Sequence, residues 1–251
     1  MRLTSFSLYY HISFKTLCFQ RAGIKVYFLY NISMDINLIL QTPLFRGIQK
    51  EEFHFLSTCL QFETKTFTKD QFVFMAGQHI ERFGLLLSGE LLIEYVDIQG
   101  NNNILSIIHA GEIFAESYAM DPNEGILVNV RSTGTSEVLL LSMHAISTTC
   151  QRNCGLHNQL ISNLFHIITV KNKNLSQKIF HTTPHTIHEK LLSYLSFEAM
   201  KSGQNTFTIP FNRQQLADYL GVDRSALSHE ISKLRKQGII ESERNYFRIL
   251  R

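Results

Sequence analysis

The spacing of apolar residues changes period several times along this 251-residue chain. From about Phe45 the segment LFRGIQKEEFHFLSTCL places Phe53, Leu56 and Leu60 at helical intervals and predicts a helix. The period then shortens. Runs of strand length follow one another, FETKTF, QFVFM, RFGLLL, ELLIEYV, NILSII, ILVNV and EVLLLS, punctuated by Gly77, Gly89, Gly100 with Asn101–Asn103, Gly111, Asp121-Pro122 and Gly134. Many short strands with regular turn residues predict a double-sheet β-roll of jelly-roll type, with DIQGNNN as a hairpin turn. Residues 156–180 return to a helical period through Leu156, Leu160, Leu164, Phe165, Ile168, Leu175 and Ile179. Asn163, Lys171 and Asn172 interrupt that stripe, which serves either as a dimer seam or as a face packed on the helix's own β-roll. Thr183-Pro184 breaks the pattern, marks a hinge over 180–184, and can open a further helix carrying Ile187, Leu191, Leu192 and Leu195. After Gly238, IIESERNYFRIL reads as two short strands around a polar turn.

Between that helix and those strands lies NRQQLADYLGVDRSALSHEISKLRKQGII, residues 212–240, with the layout of a helix–turn–helix DNA reader. Asn212 can cap a first helix whose Leu216 and Leu220 share one face, and Ala217 is small enough for a second helix to cross closely. Gly221 stands where a left-handed residue ends that helix, and Asp223 can cap a second one with Leu227, Ile231 and Leu234 along one side. At about 100° per residue, Ser225, Ser228, His229, Ser232 and Lys236 fall on the opposite side, with Arg224 at its N-terminal edge. That side has short polar chains and no carboxylate at its centre, which suits a groove lined by phosphates.

Charge is uneven beneath a net of only +3. Residues 1–33 carry four basic and no acidic side chains, 34–182 carry ten against fourteen, and 183–251 carry ten against seven, so the helix–turn–helix third is the positive part of the folded chain. The first 33 residues are basic and aromatic, without the apolar core or small-residue cleavage site of a signal peptide. They read as an upstream extension with Met34 as the natural start, or as a regulatory or membrane-facing arm. No apolar run reaches the roughly 18–20 residues that span a bilayer. Four scattered cysteines, Cys18, Cys59, Cys150 and Cys154, do not form a secreted disulfide framework, which makes a reduced, cytoplasmic protein the expectation.

The order of parts resembles the Crp/Fnr superfamily of bacterial regulators over roughly residues 40–251. RQQLADYLGVDRSALSHEISKLRKQGII is the specific portion, and GLLLSGELLIEYVDIQGNNNILSIIHAGEIFAES is similar to the family's β-roll. The resemblance implies an α+β protein in four parts. These are the doubtful extension (1–33), set apart by composition and outside the resemblance, then a cyclic-nucleotide-binding-like sensory β-roll (34–155), a dimerisation helix and hinge (156–182), and a winged helix–turn–helix (183–251). It implies a homodimer on a palindromic operator in double-stranded DNA, with RNA polymerase as a further partner if the protein activates. Carried over from the family, the base-reading positions are Arg224, Ser225, Ser228 and His229. Asn212, Arg213, Gln214, Asp223 and Lys236 fall to phosphate positioning. Many relatives have arginine where His229 stands, so the operator cannot be copied from them.

The family's phosphate-binding cassette begins with Gly-Glu and ends about ten residues later with Arg followed by Ser or Thr, groups that hold the ribose and phosphate. Here GEIFAESYAMDPNEGILVNV keeps Glu116, but Ala115 replaces the glycine, and Ile126 and Leu127 replace the Arg-hydroxyl pair. No Lys or Arg occurs between Arg82 and Arg131. Loss of one charge-assisted hydrogen bond removes roughly 1.5–3 kcal/mol, which disfavours cyclic AMP and leaves a small, less polar effector or a vestigial, constitutive sensor. An iron–sulfur cluster lacks its thiolates. Cys150-x3-Cys154-x2-His157 brings three soft ligands together without an evident fourth, so no metal or cofactor is expected. His181, His185 and His188 read as hinge histidines facing solvent. Two other classes compete: a cupin-like metal enzyme using His79, Glu81, His109 and Glu116, whose spacing matches no metal motif, and a nucleoid-type, sequence-tolerant DNA protein.

Overall fold

The computed structural model describes residues 16–21, 24–29, 36–60, 62–100, 102–148 and 155–250. Met34 and the Cys150–Cys154 pair lie outside the described residues. The chain divides into two compact units, Met1–Leu164 and Phe165–Arg251. Strands β1 (Thr16–Arg21) and β2 (Ile24–Leu29) pair antiparallel with each other. A short helix α1 (Ile36–Leu40) and a single 3-10 turn (Pro43–Phe45) precede α2 (Lys50–Cys59). The helix expected from Phe45 thus begins later. Gly47 takes φ +83°, which ends the 3-10 turn, and Gln49 with Glu52 forms a capping box that starts α2.

The strands of the first unit are β3 (Glu63–Phe67), β4 (Phe72–Phe74), β5 (Arg82–Ser88), β6 (Glu90–Val96), β7 (Asn102–His109), β8 (Ile113–Phe114), β9 (Asn129–Ser132) and β10 (Ser136–Ser142). They form two four-stranded antiparallel sheets, in the orders β3-β10-β5-β8 and β4-β9-β6-β7. One core joins the two sheets. Leu86, Phe114, Val138 and Leu140 come from the first, and Phe74, Leu91, Ile108 and Val130 from the second. Each such side chain, fully buried, contributes about 1.5–3 kcal/mol.

The chain passes from one sheet to the other at Gly89. Its φ is +87°, and a Cβ there would lie 2.5 Å from the Thr135 carbonyl oxygen. The β6–β7 hairpin turns on Asp97, whose carbonyl accepts from Gly100 N–H and whose carboxylate accepts from Gln99 N–H. The run ILVNV is extended only in its second half. Ile126 instead pairs its backbone with Gly77 and Gln78, so β9 starts at Asn129.

Two short helices, α3 (Glu116–Met120) and α4 (Met143–Ser147), lead towards α5 (Gly155–Thr182), 28 residues long. Asn163, an interruption in the apolar pattern, is buried and donates its amide to the carbonyls of Leu44 (2.9 Å) and Arg46 (2.8 Å). It anchors the first turns of α5 to the loop before α2.

In the second unit Pro184 does not open the next helix. Thr186 caps α6 (Ile187–Ser202) in a capping box with Glu189, leaving the proline before the cap. Strand β11 (Thr206–Thr208) follows, unheralded by the sequence pattern, and then α7 (Arg213–Leu220), α8 (Arg224–Lys236), β12 (Ile240–Glu243) and β13 (Tyr246–Ile249). The wing is consequently a three-stranded sheet, β11-β13-β12. No helix among the described residues is long and apolar enough to cross a membrane.

Candidate functional site

The α7–α8 pair is built as its residues dictate. Asn212 Oδ1 accepts from Gln215 N–H at 3.0 Å and Gln215 returns a bond to Asn212 N–H, closing a capping box. Gly221 ends α7 in the left-handed region, φ +62°. Leu216, Ala217 and Leu220 of α7 and Leu227, Ile231 and Leu234 of α8 are buried with Leu191, Tyr194 and Leu195 of α6 and Phe247 of the wing. That common core holds α8 with its polar side outward.

Arg224, Ser225, His229, Ser232 and Lys236 are exposed on α8, and Ser228 is half-buried. Several of these groups already have internal partners. Asp223 caps the helix by accepting from Ala226 N–H at 2.9 Å and from the Ser225 hydroxyl, bonds that hold its carboxyl below the usual range, the Ser225 bond foremost. Ser228 and Ser232 donate to the carbonyls of Arg224 and Ser228, each at 2.9 Å. Their hydroxyls therefore present acceptor lone pairs outward, and the longer groups on that face are Arg224 at its N-terminal edge, His229 in its middle and Lys236 at its end.

The expected phosphate-positioning residues divide in the same way. Gln214 donates to Asp218 Oδ1 at 2.8 Å. Arg213 donates to the Arg244 carbonyl at 3.2 Å and lies 5.6 Å from the Phe247 ring centroid. Burial and the nearby Arg235 lower the Arg213 pKa. Two further arginines stand beside these residues. Arg235 and Arg244 join Arg213, Ser228 and Ser232 around a cleft of about 570 Å³ between α8 and the wing, which Glu241 and Glu243 also line. The place of Arg235 is legible in the sequence, since it falls eleven residues after Arg224, about three helical turns along α8.

Only one hinge histidine faces solvent freely. His185 is exposed, while His188 Nδ1 meets Glu230 Oε1 at 2.8 Å and links α6 to α8. His181 is buried, which corrects the expectation of a solvated side chain. Rings of Phe197, Tyr194, Phe180 and Tyr219 surround it at 5.1–6.1 Å, and Ser193 Oγ lies 3.2 Å from its Nδ1. Burial holds its imidazole below the ordinary histidine pKa. The neutral form is the one that fits. This contribution to stability is complete above the unfolded value near pH 6.5 and is lost as pH falls through the folded value. Acidification from about pH 7.5 to 5.5 is expected to lower the melting temperature of the second unit, and His181→Phe to remove part of that slope. Equal slopes in both proteins would place the acid sensitivity elsewhere.

In the first unit the cassette segment runs from β8 through α3 towards β9. Ala115 sits at φ +62° at the start of α3, a conformation that costs a non-glycine residue about 1–2 kcal/mol. Glu116 is half-buried at the first position of α3. Ile126, at the arginine position, is fully buried in the core with Phe74, Leu86 and Phe114, while Leu127 is 68% exposed. These side chains do not fit a nucleotide phosphate.

Arg131 is no substitute for the missing arginine. Its guanidinium forks onto the buried Glu94 carboxylate at 2.9 and 3.0 Å and meets Asp70 at 2.6 Å. Those bonds, Glu94 first, raise its pKa. His157 is buried in α5. Of the residues weighed for a cupin-like centre, His79 Nδ1 lies 2.9 Å from the Pro122 carbonyl and His109 Nδ1 lies 3.8 Å from Glu90. Among the described residues no three His, Cys, Asp or Glu side chains are grouped to hold a metal.

Comparison with known families gives two matches, a cyclic nucleotide-binding domain over residues 64–153 and a Crp-like helix–turn–helix domain over residues 189–251. The chain is 22% identical over 209 residues to the CRP-like cAMP-activated global transcriptional regulator of Mycobacterium tuberculosis, covering 82% of this chain and 91% of that protein. Among solved structures it is similar to OCPA-complexed CprK, with TM-score 0.54, 14% identity, and 80% of this chain matched to 92% of that one. The catabolite activator protein of Thermus thermophilus aligns at TM-score 0.43 and 16% identity over 83% of this chain and 93% of its own. A cyclic nucleotide-binding domain followed on the same chain by a Crp-like helix–turn–helix domain makes this protein a member of the Crp/Fnr superfamily and a Crp-like transcription regulator.

Proposed function

We propose that this regulator binds a palindromic operator as a homodimer, inserting α8 into the major groove with Arg224 and His229 as its main reading side chains. Ser225 and Ser228 supply acceptors beside them. Arg213, Gln214, Lys236 and the helix starts at Asn212 and Asp223 lie along phosphates, joined by Arg235 and Arg244. The observation that carries this reading is the exposed, carboxylate-free side of α8, held outward by a fully buried opposite side. Two-fold symmetry would set the half-sites about one helical turn apart, ~34 Å. A cytoplasmic location follows from this role, and RNA polymerase is a partner if the protein activates.

Cyclic AMP is not the effector in this reading. Ile126 in the roll core supports it, since the position that would hold a guanidinium is occupied by packed hydrocarbon. Calorimetry with cyclic AMP is expected to give no saturable heat at micromolar concentrations, and saturable binding there would overturn the assignment. Selection of bound DNA from a random pool, with and without cell extract, tests the rest. A two-fold-symmetric consensus is expected, and failure to enrich any sequence would instead support a sequence-tolerant DNA protein. Identical enrichment in both arms would mark an effector-independent regulator, and a change with extract would mark a sensed molecule.

A further inference from the structure

Helix α5 carries an apolar row that its own unit leaves uncovered. Phe165, Ile168, Leu175 and Ile179 are 72%, 40%, 58% and 56% exposed. Residues 168–176 are exposed around the whole circumference of the helix. A helical segment without tertiary packing is marginal in water, so a partner on this row supplies what propensity does not.

The spacing indicates which partner. Phe165, Ile168, Asn172, Leu175 and Ile179 succeed one another at intervals of three, four, three and four, the a/d alternation of a coiled coil. Phe165, Asn172 and Ile179 take a positions, and Ile168 and Leu175 take d positions. Asn172 thus falls in the middle of the seam rather than beside it. A carboxamide buried there requires a hydrogen-bonding partner. In a parallel, in-register pair, a faces a, and the partner is Asn172 of a second copy, amide donating to carbonyl. A heptad shift would put the carboxamide against Phe165 or Ile179. An antiparallel pair would put it against Ile168 or Leu175.

Charge agrees with the parallel arrangement. Helix α5 contains no Asp or Glu, and its flanking lysines are Lys171 and Lys178. Parallel pairing sets Lys171 beside Ser176 of the second copy, whereas antiparallel pairing brings the two lysine rows together.

We infer that Asn172 is the register-setting layer of a parallel pair of α5 helices from two copies of this chain, its carboxamide bonded to its symmetry mate. This rests on the dimer reading above and adds a specificity residue to it. The test uses the full chain in sedimentation and in cross-linking. Asn172→Ile is expected to lower the dimer dissociation constant by roughly tenfold or more, because a polar a-position layer gives specificity at the expense of stability. Asn172→Cys is expected to form a disulfide between two copies under mild oxidation, mapped by peptide mass, faster than Val170→Cys on the outer side of the helix. A wild-type chain that is monomeric at all concentrations overturns the dimer reading and this inference with it. A wild-type dimer whose dissociation constant is unchanged by Asn172→Ile, with no preferential Asn172→Cys cross-link, overturns the seam alone.

Discussion

Arg224→Ala is expected to lower affinity for the selected operator by roughly 10- to 100-fold, the 1–3 kcal/mol associated with one good bidentate base contact. The loss should fall mainly at one base pair per half-site, so that the variant no longer distinguishes that pair while keeping its non-specific affinity. The reason lies in geometry. The Ser225, Ser228 and Ser232 hydroxyls are bonded within α8, whereas the Arg224 guanidinium extends from an exposed position in its first turn. Lys236→Ala should behave differently. In the proposed complex this last residue of α8 lies along a phosphate, so its loss should weaken all sequences alike and reduce the magnitude of the slope of log K against log salt by about one. Gel-shift titrations on consensus and single-mismatch operators separate the two. A uniform, equal loss in both variants would show that Arg224 reads no base.

Arg131→Met is the variant expected to damage the first unit most. Its removal leaves the Glu94 carboxylate buried between strands with no countercharge, a defect that typically costs about 3–5 kcal/mol. Asp70→Asn removes the exposed arm of the same network and should cost about 1 kcal/mol or less. Denaturant unfolding followed through the β-roll measures both. This comparison also bears on the sensor. If Arg131 served an effector instead of the fold, its loss would leave stability intact and change only the response to ligand.

Much of this protein was legible in its residues because the signals are local. The α7–α8 unit follows from Asn212, Ala217, Gly221, Asp223 and an apolar stripe, each acting within a few residues of itself. The β6–β7 turn was equally readable in Asp97 and Gly100. What escaped depended on partners distant in sequence. Strand β11 is only three residues long, and β13 stabilises it from about forty residues away. His181 looked like a solvent-facing hinge residue, yet Tyr194, Phe197 and Tyr219 enclose it, an arrangement that no spacing rule encodes. Asn163 read as a flaw in a stripe, and the carbonyls it bonds lie more than a hundred residues earlier.

The order of parts, the polar-faced helix α8 and the missing nucleotide arginine are all written in short stretches of residues, since periodicity, caps and residue identity act locally. Where the remaining charges and histidines go depends on the packed fold. Arg131 closes on Glu94 and Asp70, Arg213 turns to the wing, and Ile126 enters the roll core. Each depends on burial against groups far along the chain, where desolvation and hydrogen bonding outweigh local preference.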